Sequence, residues 1–304
     1  MKDKKSLFRW ILLAVGVLLV AYGSIRLGRY LSEMNQARQT TAELREAAAT
    51  ETVTSAPTVT NETAGTPEPL PETAMPAPAE TTAPEEAPAV SAVLPEVAYP
   101  NGYNLVPRIQ ELRKKSEYII GWITMDDLDE PVVLKDNKFF LNHDAAGKRN
   151  SNGAIFMEEG THLLTRPYTI TLYGHNMKSG NMFGRLKKYK ESGYFYKHRI
   201  ITFDTLYEDG QYAVFAVMEM DTTPGTARWY DLWSLAADSY AEREEAIRTL
   251  ERRSVISSAL DVQADEQILL LVTCLDGDTE RLVVAARRLR EGETENNLII
   301  RINQ

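Results

Sequence analysis

A lone thiol and an arginine seven residues beyond it are the groups in this sequence best placed for nucleophilic chemistry. Cys274, the single cysteine of the chain, closes the run Leu269-Leu270-Leu271-Val272-Thr273-Cys274, and Arg281 opens the run Arg281-Leu282-Val283-Val284-Ala285-Ala286-Arg287. The apolar and β-branched residues of 268–273 suit a buried strand that carries the thiol to its end. The second run reads as a partner strand, reached through a short turn of Asp276, Gly277 and Asp278. A thiol with an ordinary pKa of about 8.5 is mostly protonated at neutral pH, so a nucleophilic role needs a base or a cation nearby. Of the four histidines, His143, His162 and His198 read as loop or surface residues. His175 lies in Tyr173-Gly174-His175-Asn176-Met177, just past a regular strand-like run, and strand ends hold a catalytic group rigidly. The same residues also fit a buried structural cysteine, a satisfied structural histidine and a surface arginine.

The elements that must position these groups are mostly strands. Runs at 121–125, 131–134, 154–157, 168–173, 199–203, 212–220, 268–274 and 281–289 are rich in β-branched and aromatic residues. Turn chemistry such as Asn150-Ser151-Asn152-Gly153 and Glu208-Asp209-Gly210 separates them. Eight strands over this length indicate a closed barrel or a sandwich. A short amphipathic helix is expected near 105–118, where Leu105, Ile109, Leu112 and Tyr118 alternate with charged residues. Two helical insertions are expected, at 182–191 and 235–253.

The remainder is not globular. Residues 10–25 carry no charge and, as a helix, would span about 24 Å at about 1.5 Å per residue; flanking apolar residues extend the span to 10–27. A cleaved signal peptide shares these features, but the uncharged run continues past the small-residue triplet and ends on Arg26 and Arg29, which favours a retained anchor. Lys2, Lys4, Lys5 and Arg9 place the N-terminus, 1–9, in the cytoplasm and the bulk of the chain outside. Residues 28–100 read as a linker rich in Thr, Ala, Pro and Glu: from 37 a short Ala/Glu/Arg stretch that could continue the helix, then a tract of Thr, Ala, Glu and Pro, with ten of the fourteen prolines between Pro57 and Pro100, where disorder is expected. The folded unit then occupies 101–304. Its mild acidity, within a net charge of −9, argues against a nucleic-acid partner. One cysteine excludes an internal disulfide and any zinc site needing several thiolates. An idle thiol outside the cell is open to oxidation, so its presence there calls for a use.

Taken together, Tyr173-Gly174-His175-Asn176-Met177, the continuation Gly180-Asn181-Met182-Phe183-Gly184, and Thr273-Cys274 with Arg281-Leu282-Val283-Val284 resemble class B sortases. Gly121-Trp122-Ile123, Pro131-Val132-Val133, Asn142-His143-Asp144 and Gly153-Ala154-Ile155-Phe156-Met157 extend the similarity over roughly 103–304, in the family's order. The resemblance implies a mainly β fold: an eight-stranded sortase-like barrel with an N-terminal helix and inserted helices, behind a transmembrane helix and a linker. It implies a membrane-anchored cysteine transpeptidase of a Gram-positive type of envelope. Cys274 would be the nucleophile, His175 the general acid/base and Arg281 the cation stabilising substrate or oxyanion. Tyr173, Val272 and Thr273 become candidate substrate contacts. No metal or organic cofactor is implied. The implied partners are surface proteins with a C-terminal sorting signal, an amine acceptor such as a cell-wall precursor, and the membrane. Class B members often carry Thr-Leu-Ser-Thr-Cys, whereas this chain has Leu270-Leu271-Val272-Thr273-Cys274, so the family's Asn-Pro-x-Thr type of signal is not carried over. A thiol peptidase using water and a non-catalytic wall-binding module are the alternatives.

Overall fold

The computed structural model describes residues 2–54, 93–275 and 279–302, with side chains described for 13–49, 93–275 and 279–298. Most of the expected linker and the turn Asp276-Gly277-Asp278 lie outside the described residues. Eight strands close a barrel in the order β1-β2-β3-β4-β7-β8-β6-β5. They are β1 (Ile119–Met125), β2 (Leu128–Val133), β3 (Ile155–Met157), β4 (Thr169–Tyr173), β5 (Ile200–Thr205), β6 (Gln211–Asp221), β7 (Ile268–Cys274) and β8 (Glu280–Arg288). The expected strand runs all appear, and the barrel takes precedence over the sandwich. β2 begins earlier than its apolar run because Met125 pairs with Leu128, leaving Asp126-Asp127 as a two-residue hairpin turn. Asp126 takes φ 49°, the left-handed conformation that short polar residues tolerate in such turns.

β7 explains its own composition. Leu269 and Leu271 face the barrel interior with Val284, Ala286, Ile170 and Leu172. Ile268, Leu270 and Val272 face a second apolar layer that includes Leu235, Ala246, Ile247 and Leu250. A strand buried on both faces shows a continuous apolar run instead of alternation. The second layer comes from the excursion between β6 and β7. The helix expected over 235–253 is interrupted: a 3-10 turn (Leu232–Ala236) precedes the α-helix Tyr240–Arg253. Each piece has its own N-cap, Asp231 accepting from Trp233 N (3.0 Å) and Ser239 accepting from Glu242 N (3.4 Å). The insertion expected at 182–191 is likewise a 3-10 stretch, Phe183–Lys190, followed by a short α-helix, Ser192–Lys197. A terminal helix, Glu295–Ile302, was not evident from periodicity; Thr294 and Asn297 cap it reciprocally, and Leu298 is buried.

Arg243, which reads as a solvent-facing helix former, is fully buried. Its guanidinium donates to the carbonyls of Ala264 (2.6 Å), Glu266 (2.8 Å) and Leu235 and to Thr169 Oγ1 (2.6 Å). Burial pulls its pKa down to about 10, which leaves it charged at neutral pH. Five rigid donors satisfying several carbonyls at once pin the excursion to β4. Arg243→Ala is expected to cost about 3–5 kcal/mol, because it opens a cavity and strands buried carbonyls; urea denaturation monitored by tryptophan fluorescence measures it.

At the N-terminus, α1 (Lys2–Thr54) continues through residues 28–54. Leu13, Val17, Leu18, Leu19 and Val20 are each 60–71% exposed except Val15 nearby at 46%, and this is the one described helix long and apolar enough to cross a membrane. Further along, Glu33, Ala37, Thr41, Leu44 and Ala48 recur at helical spacing on a partly or fully buried stripe. Leu44 and Ala48 join the cluster containing Ile109 and Leu112 of α2 (Pro107–Lys115) and Phe140. Pro107 starts α2, where its missing N–H costs nothing. Thr41 Oγ1 donates to Glu130 Oε2 (2.8 Å), and Arg45 pairs with Asp129 (2.9 Å). Burial pushes the Glu130 carboxyl up to about 7 against the opposing pull of Thr41 and Arg45. Because its docked-state pKa lies above its free value, its contribution to docking is complete below the free value of 4.5 and is lost as pH rises through about 7. Proteolysis of the 33–48 segment is therefore expected to be slower at pH 5 than at pH 8, and Glu130→Gln should flatten that dependence.

Candidate active site

β4 and β7 pair in parallel, Tyr173 beside Val272, so both strands end at the same rim of the barrel. Across the other edge of β7, the antiparallel ladder sets Cys274 directly opposite Arg281. Directly opposed residues project to the same face of a sheet. Cys274 is exposed, so its thiol is accessible from solvent. Thr273 points the other way: it is buried, and its Oγ1 donates to Gly174 O at 2.7 Å. With Gly174 N donating to Val272 O (3.3 Å), this ties the chain entering His175 to the chain delivering the thiol.

His175 follows immediately. Its backbone carbonyl accepts from Met177 N and Phe183 N, both at 3.0 Å, which closes a tight turn at the end of β4. Gly174 is required by proximity: a Cβ there would lie 2.9 Å from the Phe183 ring. The imidazole Nε2 lies 2.7 Å from the carbonyl oxygen of Leu141. A carbonyl can only accept, so Nε2 carries a hydrogen, and Nδ1 is the nitrogen left to gain and lose a proton.

His175, Cys274 and Arg281 line one cleft of about 390 Å³ with Tyr173, Val272 and Thr273. The residues nominated from sequence are thus brought together. His143, set aside on sequence, stacks on Phe139 at 3.9 Å between centroids and sends Nδ1 to the Phe139 carbonyl; His198 lies 3.5 Å from Asp126. A neighbouring cavity of about 410 Å³ shares Tyr173, Thr222, Val272 and Arg281 with the cleft, and Trp229 and Trp233 of the β6–β7 excursion form its far wall.

Sequence reasoning missed Asn137, Leu141 and Glu158, which also line the cleft. Glu158 is buried and accepts from Asn137 Nδ2 and from the Tyr173 hydroxyl. Burial, followed by that hydrogen bond and the carboxylate's charge, raises the Tyr173 phenol far above its ordinary range, so it stays a neutral donor. Glu158-Glu159-Gly160 reads in sequence as an exposed turn, and nothing in it signals a buried carboxylate. Leu141 contributes through its backbone, which side-chain identity does not reveal.

A closed barrel that brings a thiol, an imidazole and a guanidinium to one rim, on paired strands and the turn after one of them, has the architecture of a cysteine transpeptidase. Comparison with known proteins agrees. The family model described as the sortase domain matches residues 124–289. Sortase B of Staphylococcus aureus is 30% identical over 190 residues, covering 60% of this chain and 75% of that protein. The crystal structure of sortase B from Bacillus anthracis in complex with AAEK2 matches with a TM-score of 0.55 and 30% identity, over 65% of this chain and 90% of that one. The Staphylococcus aureus sortase B–substrate complex matches with a TM-score of 0.54 and 28% identity, over 62% and 88%. The chain belongs to the sortase family, and its relatives are class B enzymes.

Proposed function

We propose that this chain is a membrane-anchored transpeptidase that cleaves the C-terminal sorting signal of surface proteins and joins them to an amine of the cell wall, using Cys274, His175 and Arg281. The observation that carries the reading is the convergence of these side chains on one cleft at the shared end of β4 and β7. The Cys274 thiolate attacks the scissile carbonyl carbon, and the carbonyl oxygen takes up negative charge. Arg281, opposite Cys274, is placed to stabilise that oxyanion. Collapse breaks the C–N bond, and protonated His175 gives its Nδ1 proton to the departing amine. A thioester to Cys274 remains. An incoming amine transfers a proton to His175 as it attacks; the C–S bond breaks, releasing the thiolate and a new amide. Tyr173 and Val272, shared by the cleft and its neighbouring cavity, are candidate substrate contacts, whereas the Thr273 hydroxyl is turned onto Gly174 O and acts on the rim instead.

Residues 1–9 would lie in the cytoplasm, 10–27 in the membrane and 101–304 outside as the catalytic domain, with 28–100 joining the two and its 33–48 part docked on the barrel. The exposed apolar side chains of α1 support an anchor, because a helix with no protein partner for such a face needs lipid.

The test is a peptide-library assay with the full chain in detergent, run with and without an amine acceptor. A ligated product supports transpeptidation. Equal release of free acid whether or not amine is supplied identifies a peptidase, and failure to cleave any peptide together with ordinary thiol reactivity identifies a binding module. Arg281→Ala is expected to lower kcat by about 10²–10³-fold, the usual cost of losing one oxyanion donor. Arg281→Lys should recover little of it, since an ammonium lacks the planar fork.

A further inference from the structure

The turn 150–153 packs behind the imidazole. Gly153 takes φ +64°, and a Cβ there would lie 3.1 Å from His175 Cδ2 and 2.4 Å from the Phe140 carbonyl. Asn150, fully buried, donates its N–H to Asn142 O (2.8 Å), while Ala154 N donates to Phe140 O (3.0 Å). These bonds bracket Leu141, whose carbonyl holds His175 Nε2. The placement of the imidazole therefore depends on the placement of this turn. The outer side of the turn is held by α1, from more than a hundred residues away in sequence. Glu33 Oε2 accepts from Ser151 N (3.1 Å) and from Ser151 Oγ, and Glu33 O accepts from Asn150 Nδ2 (2.9 Å).

We propose that Glu33, on the barrel-docked part of α1, is a positioning residue for His175: it clamps the 150–153 turn and thereby fixes the Leu141 carbonyl that orients the imidazole. The proposal rests on His175 being the acid/base of the reaction described above. It gives the N-terminal helix a part in catalysis besides attachment. The Ser151 hydroxyl holds the Glu33 carboxyl below the usual carboxylate range, with support from Arg149 and Arg29, so the clamp is an ionised acceptor at neutral pH. Charge-assisted hydrogen bonds of this kind are stronger than neutral ones. Arg45 anchors the same helix elsewhere, on Asp129, without touching the turn.

The experiment uses the full chain in detergent, with Glu33→Ala, Glu33→Gln, Arg45→Ala and His175→Ala compared on one cleaved peptide and by nitrogen NMR of the histidine rings. Glu33→Ala is expected to lower kcat by about 10- to 100-fold, the scale of a small misplacement of a catalytic group, with KM within about twofold. The His175 ring-nitrogen shifts should move toward each other as the Nε2–H tautomer loses its preference. Glu33→Gln, which keeps an acceptor oxygen for Ser151, should recover most of the loss. Arg45→Ala should leave both kcat and the His175 shifts near the parent values. Unchanged His175 shifts in Glu33→Ala would overturn the proposal, as would an equal loss in Arg45→Ala, which would mark general docking of the helix as the cause. His175→Ala separates the two readings: if it still cleaves, the assignment of the acid/base fails, while the ring shifts still report whether Glu33 positions that imidazole.

Discussion

Cys274→Ala is expected to leave no measurable cleavage and no thioacyl adduct, with the barrel intact. The side chain is exposed at the end of β7, so truncating it opens no cavity, and the strand is held by its two ladders and both apolar layers. Stability should change by less than about 0.5 kcal/mol, as for an ordinary surface substitution. The loss is complete because the proposed reaction forms a covalent bond to this sulfur, and the cleft's described hydroxyls, on Tyr173, Thr222 and Thr273, are far weaker nucleophiles than a thiolate. Mass spectrometry of the enzyme mixed with substrate checks it: an adduct on the parent chain that persists in Cys274→Ala would locate the nucleophile elsewhere. Cys274→Ser is expected to behave as Cys274→Ala, since a serine here would need a stronger base than one imidazole held by a carbonyl.

His175→Ala should lower kcat/KM by about 10²–10⁴-fold, the range for removing a general acid/base. The effect should depend on the leaving group. An amide nitrogen must receive a proton to depart, whereas a thiolate leaves unprotonated, so a thioester analogue of the peptide should lose less activity in the variant. A uniform loss on both substrates would indicate that the imidazole serves mainly to generate the attacking thiolate. Both results are read by steady-state kinetics on paired amide and thioester substrates.

The strands were legible because their composition reflects burial on one or both faces, and β7 in particular announced itself by an unbroken apolar run. Cys274 and Arg281 could be nominated together because a short turn joins two strands, and antiparallel pairing then makes their meeting a matter of register. His175 was harder. Its approach to Cys274 depends on parallel pairing of strands far apart in sequence, which no local pattern encodes, and the family resemblance supplied that link. The burial of Arg243 and Glu158 was not legible for one reason: charged residues belong to the surface by default, and only their partners reveal burial. The break before Ser239 in the helix expected over 235–253 was blurred because Ala236, Ala237 and Ala241, good helix formers, stand on either side of it.

The hydrogen bond from Thr273 to Gly174 spans 99 residues of sequence, yet it joins adjacent strands. Everything between them, including β5, β6 and the helical excursion, leaves the rim after His175 and returns to it at Cys274, meeting the cleft again at Thr222. That excursion walls the cavity beside the cleft. The side chains it turns to that cavity can therefore be exchanged while Arg243 and the apolar layer over β7 keep the reacting atoms in place. A chimera that takes the cavity-lining Trp229, Leu232 and Trp233 from a relative, keeping Thr222 and Arg243, should change which peptide is cut before it changes how fast bonds are broken.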